Sequence, residues 1–206
     1  MFHKNNIRKK INNNFVYRFL VFGNDLINKI FKNRKLFFVL LILFLILAFF
    51  VSNFKKYFFT ILLIVIASLS FLPQRYFKFF NYIGFEFCMM SVVLITLSYG
   101  RIYGVFSAFV SITAGYILSG SFKPSSFISI FALPFVAFII PFFNAFNLSI
   151  FYLGILMTII YDIIILPLYL LMGSRFYTTI IFFITHIIFN AWVFTFIAPF
   201  VFSIMH

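Results

Sequence analysis

Three polar residues, Asp162, His186 and Asn190, stand inside long apolar stretches of this chain, and their types and spacing could do chemistry. A carboxylate beside an imidazole can share or relay a proton, an amide adds a donor and an acceptor, and the three together can hold a polar ligand. Placing such groups in lipid is costly, so they mark function first. Asp162 is one of only three acids in 206 residues. It precedes Met172 by ten residues and His186 follows Arg175 by eleven, which at about 1.5 Å per helical residue puts each roughly 15–16 Å from one shared turn. An antiparallel hairpin would therefore bring Asp162 and His186 to one depth near the midplane. Asn190 follows His186 by one helical turn on the same face. The triad could bind a polar ligand, move protons or tie helices together.

Glu86 and Arg101 are the other charged candidates. Glu86 lies four residues into its apolar segment, about 6 Å deep if helical. That depth suits an orienting carboxylate that snorkels to water or pairs with Arg75 or Lys78. Arg101, with Asn81, Tyr99 and Tyr103, fits anchoring at a segment end, and between Gly100 and Gly104 it could gate an outer mouth. Tyr169 and Trp192 read as packing residues. The single Cys88 excludes an intrachain disulfide and a multi-cysteine metal site. No phosphate-binding loop, zinc helix motif or Gly-x-Ser-x-Gly turn occurs, so the expectation is a protein without catalysis, metal or cofactor.

The elements that must position these groups are membrane helices. Hydrophobic residues make up 65% of the chain, charged residues 9%, and mean hydropathy is +1.15. A soluble domain carries about 45–50% apolar and about 25% charged residues and could not cover this much apolar surface. The expected fold is all-α, a polytopic bundle of six to seven transmembrane helices in a lipid membrane. Stretches long enough to cross about 30 Å of hydrocarbon are 36–53, 57–72, 82–99, 102–119, 127–143, 150–171 and 176–204. The second is short, and 36–72 could form a bent pair. Pro134, Pro141, Pro167 and Pro199 fall inside the later stretches, where kinks are expected.

A net charge of +13 and 38 Phe might suggest nucleic acid, but the charge is placed otherwise. Nine of the sixteen Lys and Arg residues precede Leu36, and the others punctuate apolar runs. With the N-terminus inside, thirteen basic residues fall on the cytoplasmic side and three, Lys55, Lys56 and Arg101, on the other. This predicts a multi-pass protein of the cell membrane with a cytoplasmic N-terminus and no nucleic-acid partner. Residues 1–35 form a separate basic segment ahead of the bundle of 36–206. Ile7, Ile11, Phe15 and Phe19 recur every four residues among Lys and Arg, as in a helix lying on an anionic membrane face, whereas the Asn run at 12–14 suits a disordered tail.

Residues 102–119 carry a packing pattern. Gly100, Gly104 and Ala108 make one row at i+4 spacing, and Ser107, Ser111, Gly115 and Ser119 another. Rows of small residues let helix backbones approach closely in lipid. The rows serve either packing within the chain or the docking of a second membrane subunit.

Residues 84–205 have a family look. Gly84-Phe85-Glu86, then Tyr99-Gly100-Arg101-Ile102-Tyr103-Gly104, a small-residue helix ending Leu118-Ser119-Gly120, and Thr185-His186-Ile187-Ile188-Phe189-Asn190 before Ala198-Pro199 together resemble the substrate-binding S components of energy-coupling-factor transporters. Arg101 replaces the usual Pro. The resemblance implies a compact bundle that captures a small molecule from outside and works with a coupling membrane subunit and cytoplasmic ATPases. The architecture is also similar to rod-shape-determining membrane proteins of the MreD type, which implies a noncatalytic scaffold. Phe182-x-x-x-His186 and His186-x-x-x-Asn190 resemble motifs of CAAX-processing membrane proteases, whose glutamates and histidines activate water. That family's paired glutamates are absent, and here both partial motifs share one His.

Overall fold

The computed structural model describes residues 34–205, and the reading of residues 1–33 as a basic interfacial helix or tail lies outside them. The first helix, α1, runs without interruption from Arg34 to Leu69. The charged stretch Asn53–Lys56, expected to separate two segments, lies within this helix. It contains neither Gly nor Pro, and Lys is a good helix former, so charge alone does not break the hydrogen-bond ladder. Before Lys55, the described apolar side chains of α1, among them Phe38, Ile42 and Leu43, are exposed.

Residues from Lys55 onward form one compact unit. After α1 come a short helix α2 (Leu72–Tyr76), a 3-10 turn (Lys78–Tyr82), α3 (Cys88–Tyr99), α4 (Arg101–Ser119), α5 (Ser126–Asn144), α6 (Ile150–Leu171), α7 (Phe176–Phe196) and α8 (Ala198–Met205). The described residues are helical with no strand. Among the described residues five stretches are long and apolar enough to cross a membrane, against the six to seven expected: Asn53–Tyr76, Arg101–Ser119, Ser126–Asn144, Ile150–Leu171 and Phe176–Phe196. The expected span 82–99 is reduced to the 12 residues of α3, about 18 Å of helix and too short to cross alone. The expected 176–204 is divided at Ile197, just before Pro199, whose ring removes a backbone donor from the next turn. Pro134, Pro141 and Pro167 stay inside α5 and α6.

Why α3 sits where it does follows from its residues. It is apolar on all sides, and Cys88 through Thr96 are all buried. A helix without a polar face belongs inside a bundle. Packing against α4, α5, α6, α7 and α8 surrounds it with neighbours. Ser91 donates to the Leu63 carbonyl of α1 at 3.2 Å, and Cys88 lies 3.9 Å from the Ala67 carbonyl, so small residues let these backbones come close.

The small-residue rows of α4 pack within the chain. Ser107, Ala108, Ser111 and Gly115 are buried, and the Ser111 carbonyl accepts from Ser68 of α1 at 3.1 Å. A Cβ at Gly104 would collide with Thr96, and one at Gly115 would meet the Phe71 ring at 2.6 Å. Gly100 is different. It is exposed, faces open space and joins α3 to α4 at φ 96°, so it serves as the turn between them rather than as part of the contact row.

Overfilling that contact tests it. Gly115→Val should destabilise the bundle by about 1–3 kcal/mol, read as a lower thermal midpoint in detergent. Ile102→Val, at a surface site 82% exposed, should leave the midpoint nearly unchanged; equal loss in both variants would show that the close packing is not what matters.

Candidate functional site

The chain between the 3-10 turn and α3 decides the site. Ile83 is extended, Phe85 N–H bonds back to the Ile83 carbonyl at 2.9 Å, and Gly84 N–H donates to the Thr185 hydroxyl of α7 at 3.0 Å. A Cβ at Gly84 would overlap the Cα and Cβ of His186, so only glycine lets this backbone lie against α7. Phe85 and Phe87 grip Phe189 from either side of Glu86, with ring centroids 4.4 and 5.4 Å away. Glu86 is thereby inserted into the bundle.

The expected shallow, snorkelling position of Glu86 is thus corrected. It is 5% exposed and its Oε1 lies 3.5 Å from His186 Nε2, while Arg75 reaches the Leu118 carbonyl at 3.4 Å instead; the expected pairing with Lys78 lies outside the described side chains. Helical counting underestimates its depth because non-helical chain advances up to about 3.3 Å per residue against about 1.5 Å for a helix.

On the opposite edge of the imidazole, His186 Nδ1 meets Asp162 Oδ1 at 2.8 Å. The short turn between α6 and α7 does bring these two to one level. With Asp162 ionised, Nδ1–H donates to it, and Nε2 becomes a second donor, toward Glu86, once the ring is protonated. Phe182 stacks on the imidazole at 5.2 Å and Tyr161 meets it edge-on at 5.8 Å, which fixes the ring plane. Asn190 Nδ2 donates to the His186 carbonyl at 3.0 Å. The amide therefore braces the α7 backbone instead of touching either acid. Within this cluster four buried polar atoms lack a hydrogen-bond partner among the described residues: Glu86 Oε1, Asp162 Oδ2, His186 Nε2 and Asn190 Oδ1.

Beside this cluster is a cavity of about 600 Å³. Glu86, Tyr161 and Tyr116 line it, with Lys123 and Arg175 on its wall at the loops that join α4 to α5 and α6 to α7. Tyr169 hydrogen-bonds through its hydroxyl to Ser129, and Tyr116 reaches the Tyr169 hydroxyl at 3.3 Å. Tyr169 is thus more than a packing residue, and this ladder was not read from the sequence. A late Tyr within an apolar helix is the available signal, because a buried phenol seeks a partner. Arg101 stands apart from the site. Its guanidinium lies over the rings of Phe138 and Phe142, 4.6 and 4.8 Å from their centroids, and is not on the cavity wall.

No group of metal-ligating side chains occurs among the described residues. No known protein family matches the chain, nor does any curated protein or solved structure. What the site can do must follow from its own chemistry. Two carboxylates share one imidazole, which even when protonated can offset only one of them.

Removing one partner should reveal the coupling. His186→Ala and Asp162→Ala should each cost about 3–5 kcal/mol, as expected when a buried charge loses its partner. The double variant should lose clearly less than the sum, since the two side chains share one interaction. Additive losses in denaturant or thermal unfolding would show that the 2.8 Å contact contributes little.

Proposed function

We propose that this chain is a membrane-embedded subunit that binds a small polar molecule in the cavity ending at Glu86, and that binding serves its transport. The observation that carries this reading is the non-helical stretch 83–87, buried at Gly84 and Glu86, half-buried at its other residues, and opening on the cavity through Ile83 and Glu86. Irregular backbone at membrane depth is tolerated where protein encloses it or where it borders a watery space. Interrupted helices that supply such backbone are a recurring way to build substrate sites in transporters. A strut would need only the Asp162–His186 contact, whereas the cavity and the unpaired Glu86 oxygen give a scaffold of the MreD type nothing to use.

On the resemblance to energy-coupling-factor S components, a coupling membrane subunit and cytoplasmic ATPases would supply the energy, which suits a sequence without a phosphate-binding loop. We place the protein in the cell membrane with its basic N-terminal segment inside. Lys123 and Arg175 mark the mouth of the cavity.

A second reading is favoured by the 3.5 Å approach of Glu86 to His186 at the cavity end. A carboxylate and an imidazole so placed could activate water, as in the CAAX-type proteases. The binding reading ranks first because His186 is fully buried and Asn190 is turned to the backbone.

Access and binding are separable experiments. Ser125→Cys and Thr178→Cys, both at lining positions, should react with an impermeant maleimide from the side that labels Lys123→Cys, while the buried native Cys88 stays unmodified. A polar ligand at 100 times its Kd should stabilise the protein by about 2.7 kcal/mol, and Glu86→Ala should abolish that gain. Labelling of Lys123→Cys alone would sink the cavity. Peptide hydrolysis by the purified protein, lost in Glu86→Gln, would instead establish the second reading.

A further inference from the structure

Charge is ordered along the cavity. Its one acidic wall residue is Glu86, and its basic ones are Lys123 and Arg175. Glu86 is 95% buried by its 5% exposure, and its Oε1 has no hydrogen-bond partner among the described residues. Behind it, the single imidazole of His186 is already bonded to Asp162 at 2.8 Å, so His186 cannot fully balance both acids. Lys123 and Arg175 are exposed and form no ion pair among the described residues, whose only acids are Glu86 and Asp162. Between the two ends the walls are aromatic and hydroxylated, with Tyr116, Tyr161 and Tyr169 prominent.

From this order we infer that the ligand is a small zwitterion, with a protonated amine at the inner end against Glu86 and a carboxylate or phosphate at the mouth against Lys123 and Arg175. The inference rests on the binding reading above. Each end is chosen by complementarity. An ammonium supplies donors and positive charge to the Glu86 carboxylate, which lines the cavity and whose Oε1 is held 3.5 Å from His186 Nε2 without a hydrogen bond, and a charge-assisted bond of this kind is roughly twice as strong as a neutral one. Guanidinium and ammonium groups at the mouth recognise carboxylate and phosphate oxygens. A volume of about 600 Å³ lies within the range of roughly 300–1,000 Å³ usual for small-molecule sites. The same amine and phosphate chemistry occurs in a free metabolite and in a phosphatidylethanolamine headgroup.

The test is a binding series on the full chain in phosphatidylcholine nanodiscs. The probes are 5-aminopentanoate and O-phosphoethanolamine, their amine-only counterparts pentylamine and ethanolamine, their anion-only counterparts pentanoate and inorganic phosphate, and glycerol as a neutral control. The zwitterions should bind about tenfold or more tightly than either half, a difference of one charge-assisted contact. Glu86→Gln should weaken zwitterion and amine alike by about that factor, and Glu86→Asp should restore much of the loss, which a folding defect would not allow. Lys123→Gln combined with Arg175→Gln should weaken the zwitterions while sparing the amines. If phosphatidylethanolamine added to the nanodiscs competes with the soluble probes, the zwitterion is a lipid headgroup; without competition it is a free solute. Preference for glycerol, or anion binding indifferent to Glu86→Gln, overturns the zwitterion and leaves a binding cavity standing. Absence of binding by every probe, with Ser125→Cys and Thr178→Cys still labelled, also overturns this ligand class. Failure of those cysteines to label removes the binding reading itself.

Discussion

Moving a carboxylate out of water costs several kcal/mol even after local relaxation, and this bundle does so twice within reach of a single imidazole. Asp162 is 1% exposed, Glu86 5% and His186 fully buried. The structure around them reads as the means of tolerating that burden. Helices α6 and α7 bring Asp162 against His186 Nδ1, Phe182 and Tyr161 hold the ring plane, and Asn190 steadies the backbone that carries it. Glu86, on the other ring edge at 3.5 Å, is the partner whose compensation is incomplete. It is also the member of the cluster that meets the cavity.

The shortness of α3 follows from the same constraint. Had residues 82–99 formed one straight helix, Glu86 would stand near a membrane surface and the imidazole would have one acid, not two. Instead Gly84 lets the entering chain lie directly on α7, and the phenyl rings of Phe85 and Phe87 lock it there against Phe189. Backbone polarity released by the missing helical turns is partly met by Thr185, which accepts from Gly84 N–H. Site and helix break are one feature, which is why a bundle so apolar can hold a polar cavity.

Much of this was legible in the residues. The hairpin spacing around Met172–Arg175 placed Asp162 and His186 at one level, and the rows of Gly, Ala and Ser in α4 announced close helix contacts. Other features needed the third dimension. Asn53–Lys56 looked like a boundary because charge is rare here, yet helix propensity carried α1 through it. Glu86 looked superficial because depth was counted along a helix that does not form. Arg101 looked like a gate, but the nearest favourable surface for its guanidinium is a pair of phenylalanine rings on α5.

The sequence by itself determined the solvent and the class of fold: apolar stretches of membrane length can bury their backbone polarity only as helices, and that follows from composition and period alone. It also determined which groups would be costly to bury, since so few are charged. Only the tertiary structure decided which of them meet. Depth along separate helices constrains a pair such as Asp162 and His186, whereas the joining of Glu86 depends on Gly84 packing against a helix 101 residues later in the chain. No periodicity encodes a contact of that separation, because it arises from the fit of two surfaces and not from either segment alone.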